Sequence, residues 1–144
     1  MKRLLLSLVF VALVTFGTVG LSQAGVAPVL TVDLPFAFTV GDSVFPAGHY
    51  IVQMNRVNSS AAIGSLLTLR KEDGQLIKTV TALPNGRGEL KTGSWLTFRK
   101  YNNTYFLAKV ESFGIGCELT RTPAEKEMAS GRSNGGTAVT VAAE

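Results

Sequence analysis

The chain has 144 residues, room for one domain, and carries 14 Lys and Arg against 10 Asp and Glu. A single Cys and a single His exclude an intramolecular disulfide and a Cys/His zinc set. The basic residues fall in separated pairs such as Arg70-Lys71 and Arg99-Lys100, not in a stripe, which argues against nucleic acid as a partner.

The first 24 residues read as a secretory signal peptide. Lys2-Arg3 is a short positive region, residues 4–16 are a largely apolar run, and Ser22-Gln23-Ala24 puts small residues ahead of a cleavage site after Ala24. The competing reading is an uncleaved anchor, since residues 4–21 approach the length of a membrane span, about 18 residues. Gly17, Thr18 and Gly20 weaken its end, however, and no basic cluster follows. Cleavage takes the basic count from 14 to 12 against 10 acids, a mature charge near +2. No Cys stands near the site to accept a lipid. The expected division is a signal peptide over 1–24, a β-domain over 25–121, and a short helix, Gly-rich linker and strand or tail over 122–144. No transmembrane segment is expected after cleavage, and the localisation expected is periplasmic or secreted.

From residue 30 onward the pattern is β. Val32, Leu34, Phe36, Phe38 and Val40 alternate with smaller or polar residues, the period of a half-buried strand. Pro35 removes a ladder donor, so strand 30–40 is an edge or is bent there. Gly41-Asp42 breaks it, Phe45-Pro46-Ala47-Gly48 makes a corner, and Tyr50, Val52 and Met54 resume the alternation over 49–55. Residues 55–62 read as a polar loop. Strands 63–71 and 75–83 follow, and a three-residue loop with left-handed Gly74 sets Leu69 opposite Ile77 and Leu66 opposite Val80, apolar against apolar.

Residues 84–94 form a Gly-rich connection without P-loop spacing. The clearest hairpin joins 95–101 to 104–113 through Asn102-Asn103, pairing Tyr101 with Thr104, Phe98 with Leu107 and Trp95 with Val110. One face then carries Leu96, Phe98, Tyr105 and Leu107. The other carries Trp95, Thr97, Phe106, Ala108 and Val110. Both are apolar near the middle, so neither is freely solvated. The internal cover expected is the segment after Thr122, through Ala124, Met128, Ala129, Val139 and Val141. A partner molecule is the alternative. Strand 115–120 comes next. Thr122 as N-cap, Pro123 at the first turn and Glu125 as reciprocal capping partner start a short helix that Gly131 ends. Residues 137–142 are a last strand or a tail. About seven or eight short strands and one helix near the end make an all-β, antiparallel sandwich or barrel.

Catalytic candidates are few. His49 lies in an alternating apolar strand with Tyr50 and Val52 inward, so it faces solvent, and no nucleophile elbow accompanies it. Glu111 and Glu118 on neighbouring strands could form a glycosidase pair, but Glu111 pairs as readily with Lys109 or Lys100. Cys117 shares a face with Ile115 and Leu119 and reads as a buried thiol, with a reactive or intermolecular thiol as the alternative. Trp95 and Tyr101 share a face with Thr97 and Arg99. That face is core, or else a platform for a sugar. No catalytic, cofactor-binding or metal-binding residue is assigned. The candidate interaction face comprises Trp95, Arg99, Tyr101, Leu96, Phe98 and Leu107.

Three blocks, L-P-F-x-F-x-V-G-x-x-x-F-P-A-G-x-Y-x-V over 34–52, L-x-F-R-K-Y-x-x-x-Y-F-L over 96–107 and T-P-A-E-K-E over 122–127, are similar to those of a group of small exported bacterial β-rich proteins of unknown function. The resemblance implies an exported β-domain and brings no activity with it. The expected role is a non-catalytic module of the envelope or extracellular space, structural or engaged with an envelope protein or glycan. The alternatives are a small apolar-ligand-binding barrel and, less favoured, an enzyme of unidentified type.

Overall fold

Pro35 divides what reads as one strand into two that serve opposite ends of the sheet. In the computed structural model, which describes residues 27–59, 62–85, 92–131 and 136–144, the chain runs β1 (Val29–Leu34), β2 (Phe38–Val40), β3 (Ser43–Phe45), β4 (Gly48–Ser59), β5 (Ala62–Lys71), β6 (Leu76–Asn85), β7 (Ser94–Tyr101), β8 (Thr104–Ser112), β9 (Ile115–Glu118), α1 (Pro123–Ser130) and β10 (Thr137–Ala143). The signal-peptide segment 1–24, most of the Gly-rich connection and most of the 133–136 linker lie outside the described residues. No helix among the described residues is long and apolar enough to cross a membrane.

All ten strands join one mixed sheet, in the order β1-β4-β5-β6-β9-β8, with β2 and then β3 on one edge of β8, and β7 and then β10 on the other. The excess over eight strands has two sources, Pro35 and Gly41. With no N–H at Pro35, the ladder of β1 with β4 stops at Leu34 opposite Gly48. The chain bends, and β2 restarts parallel to β8, Phe38 beside Tyr105. Gly41, at φ 60°, then turns β2 tightly into β3, with Val40 opposite Ser43.

The sheet curls until its ends meet. Thr31 N–H donates to the Glu144 carbonyl at 2.7 Å, and Glu144 N–H donates to the Thr31 carbonyl at 2.9 Å. This one reciprocal pair bridges β1 to the end of β10 without a continuous ladder, so the sheet is not closed, and an open barrel or a sandwich describes it.

The interior follows the alternation. Leu30, Val32 and Leu34 are buried while Val29, Thr31 and Asp33 are exposed. Phe36 stacks on Tyr105 at 4.0 Å between ring centroids and meets Phe98 edge-on at 5.2 Å; Phe38 meets Tyr50 at 5.1 Å and Phe98 at 5.7 Å. With Phe45 these rings fill the space between the walls. The Tyr50 hydroxyl donates to the Pro46 carbonyl at 2.7 Å, fastening the Pro46–Gly48 corner. Burial raises the Tyr50 phenol above its ordinary range.

Three expected pairings are corrected. Residues 55–59 and 62 are not loop but strand, the β4–β5 hairpin pairing out to Ser59 opposite Ala62. Backbone hydrogen bonds need no apolar alternation to continue. Gly74 is left-handed as expected, at φ 82°, and Arg70 faces Leu76. A bulge between Leu69 and Arg70 then places Leu69 opposite Lys78 and Leu67 opposite Val80. In the β7–β8 hairpin Tyr101 pairs with Thr104 and Phe98 with Leu107 as read. Ala108 is then passed over, so Leu96, not Trp95, faces Val110.

Candidate functional site

The Ala108 bulge decides which side chains share the outer face of β7 and β8. Leu96, Phe98, Leu107 and Val110 all turn into the core, each no more than 3% exposed. Trp95, Thr97 and Arg99 turn out. The six residues of the expected interaction face therefore do not lie together: Leu96, Phe98 and Leu107 are core, on the opposite side of the sheet from Trp95 and Arg99. Tyr101 is also buried, beneath α1. Trp95 is half-buried and lies outside the core cluster, which corrects the reading of it as core.

Ladder registers lay this outer face out in rows. One row runs Ala142, Trp95, Glu111, Gly116 across β10, β7, β8 and β9. The next runs Thr140, Thr97, Lys109, Glu118, with Leu83 of β6 beyond Glu118. Two glycines form its floor. A Cβ on Gly93, at φ 132°, would come within 2.8 Å of the Trp95 benzo edge, and a Cβ on Gly116 within 3.1 Å of the Glu111 Cγ. Only a residue without a side chain lets the indole and the Glu111 stem lie this close to the backbone. Lys109 Nζ sits 3.0 Å from Glu111 Oε1, and Arg99 Nη1 lies 3.7 Å from Glu118 Oε1. Each carboxylate of the possible glycosidase pair thus has a base beside it, Lys109 for Glu111 and Arg99 for Glu118.

Helix α1 closes the lower end of this face. Thr122 caps it as expected, its hydroxyl accepting from Glu125 N–H at 3.2 Å, with Pro123 in the first turn. Glu125 does not return the capping bond. Its side chain, 1% exposed, drops onto the sheet instead, accepting from Arg99 Nε and Nη2 and from the Tyr101 hydroxyl at 3.3 Å. Arg99 Nη2 also donates to the Leu119 carbonyl at 3.1 Å. Both carboxylate oxygens accept hydrogen bonds from the sheet, so the pair docks the helix. The cover over Tyr101 and Phe106 is therefore internal, as anticipated, but polar. Ala124 and Met128 are exposed, and β10 extends the sheet from the edge of β7 without lying over it. A cleft of about 260 Å³ opens beside α1 between Thr39, Asp42, Thr81 and Arg121, where the edge of β8 passes from β2 to β9.

The remaining candidates stand apart. His49 is exposed, its Nδ1 3.7 Å from Asp33 Oδ1. The groove beside it is lined by Pro46, Ala47, Gly48, Tyr50, Lys71, Glu72 and Asp73, and so supplies no Ser, Thr or Cys. Cys117 is 1% exposed, and burial pushes its thiol up to about 11 against a hydrogen bond with Val110 that lowers it. It is a structural thiol. Among the described residues no three His, Cys, Asp or Glu side chains gather as a metal site.

Lys109, Glu111, Glu118 and Thr140 belong to the outer face, yet sequence reasoning did not assign them to it. Membership of Lys109, Glu111 and Glu118 depends on a bulge, and no residue type marks Ala108 as its site; Thr140 joins through β10 pairing with β7. No protein-family model, curated protein or solved structure matches the chain.

Proposed function

We infer that the protein is an exported, non-catalytic β-module of the envelope or extracellular space, and that it engages an envelope protein or glycan through the outer face of β7–β10. The observation that carries this is Trp95, held outside the core on an open face between charged and hydroxyl side chains. Export rests on the Lys2-Arg3 start, the apolar run and the Ser22-Gln23-Ala24 site. A non-catalytic role is supported by the exposed His49–Asp33 pair, whose groove holds no Ser, Thr or Cys, and by the buried Arg99–Glu125 pair, which is engaged in docking α1. An apolar-ligand barrel would need the interior volume that Phe36, Phe38, Phe45, Tyr50, Phe98 and Tyr105 occupy.

Two measurements in the producing cell test this reading. Intact mass of the fractionated protein should give Gly25 as the first residue, in the periplasm or the medium. A photo-crosslinking residue at Thr97 or Thr140 should form adducts that the same residue at Thr79, exposed on β6, does not. Cytosolic protein beginning at Met1, or equal labelling from all three positions, overturns the reading.

A further inference from the structure

We propose that the outer face of β7, β8 and β10 binds a neutral glycan, with one pyranose ring lying on Trp95. This rests on the interaction reading above and names the ligand class for that face.

The geometry around Trp95 provides a surface for stacking. In its cross-strand row the flanking residues are Ala142 on one side and Glu111 on the other, with side-chain-free Gly116 beyond. The benzo edge is backed by Gly93. No bulky neighbour in the row covers the ring. An indole takes the C–H face of a sugar because that face is apolar and weakly electropositive while the ring face is electron-rich.

The next row supplies the polar partners. Thr140, Thr97, Lys109 and Glu118 stand two residues along their strands, about 6.8 Å from the Trp95 row, and about 4.8 Å apart across strands. Together with Glu111 they offer hydroxyls, an ammonium and carboxylates, which match the mixed donors and acceptors on the rim of a sugar.

Charge complementarity selects among ligands. Lys109 stands 3.0 Å from Glu111, and Arg99 and Arg121 together answer Glu118 and Glu125, so three bases balance three carboxylates. The face therefore projects no net field that would gather an anionic or cationic polymer. The core of a protein interface would need clustered aromatic or aliphatic anchors. Among the described residues around Trp95 the exposed ones are Ala142, Thr140 and one further aromatic, Phe113, whose N–H bonds the Gly93 carbonyl at 3.0 Å; the exposed aliphatics Ile115 and Leu83 stand apart on β9 and β6, so no aliphatic cluster forms. A neutral polyol is the chemistry that this mixture satisfies.

Trp95 is the only tryptophan, so its fluorescence reports on the site directly. The secreted protein is titrated separately with cellopentaose, tetra-N-acetylchitotetraose and maltopentaose, with oligogalacturonate as the anionic comparison. The expected result is a saturable change in emission with at least one neutral sugar and none with oligogalacturonate. Thr97→Val and Glu111→Gln should each weaken that binding at least fivefold while leaving the melting temperature unchanged. Trp95→Ala should abolish retardation in gels carrying the matching polysaccharide. The proposal is overturned if no neutral sugar gives a saturable change, or if both polar substitutions leave binding intact. Failed titrations with position-specific crosslinks from Thr97 and Thr140 remove the glycan and keep the interaction reading. Failure of both removes both.

Discussion

Arg99 and Glu125, 26 residues apart, form the buried charge pair that holds α1 against the sheet. The guanidinium reaches both carboxylate oxygens and the Leu119 carbonyl, and the Tyr101 hydroxyl adds a further bond. Glu125 is the helix's only buried residue, so this contact, and not an apolar stripe, fixes where α1 lies. The two ends of the pair are unequal. Arg99→Ala leaves the buried Glu125 carboxylate with only the Tyr101 hydroxyl and the half-exposed Arg121, 4.0 Å away, and should cost about 3 kcal/mol. Glu125→Ala leaves Arg99 with Leu119 and the partly solvated Glu118, and should cost about half as much. Tyr101→Phe should cost about 1 kcal/mol. Urea unfolding of the three variants checks the ranking.

Gly48 opens β4 at φ 153°, where a side chain is strained even though its Cβ would meet only Tyr50, at an ordinary contact distance of 3.9 Å. Gly48→Ala should therefore destabilise by about 1 kcal/mol or more. An unchanged urea midpoint would show that the corner bonded by Tyr50 to Pro46 tolerates the change.

Cys117 makes stability fall in alkali. Its thiol ionises near 9 when unfolded but is held to about 11 by burial. Between those values the unfolded state releases a proton that the folded state keeps, so raising the pH favours unfolding. The loss is on the order of 2–3 kcal/mol by pH 11 and absent below pH 8. Comparing wild type with Cys117→Ala over pH 8–11 isolates this slope from Lys and Tyr titration. Native Cys117 should also resist thiol reagents until the protein unfolds.

The end of β10 bridges to β1. Removing residues 137–144 deletes the Thr31–Glu144 pair and bares the long edge of β7, from Ser94 to Lys100. Unpaired donors and acceptors on a long edge template further pairing. The truncated protein should melt at lower temperature and self-associate in size-exclusion chromatography. A monomer with unchanged melting would show that β10 contributes little.

The all-β class, the run of strands, left-handed Gly74 and the Thr122 cap were legible because each has a local cause: alternation, a turn residue, a hydroxyl. What was hidden depends on distant partners. Nothing in residues 104–112 announces that Ala108 is passed over, yet that bulge separates Val110 from Trp95 and assembles Trp95, Thr97, Lys109 and Glu111. Lys78 opposite Leu69 defied apolar matching because its ammonium reaches the Ser43 hydroxyl, 3.0 Å away on β3. Glu125 matched a capping pattern so well that its other use, across the sheet to Arg99, left no local trace.

The account depends most on Trp95 standing outside the core on an accessible face. Emission and acrylamide quenching of this single tryptophan in the folded protein test that placement directly. The structure predicts a red-shifted maximum and ready quenching, well above that of a core indole and somewhat below that of the urea-unfolded chain. A blue-shifted maximum with quenching close to zero would put Trp95 in the interior and contradict the account.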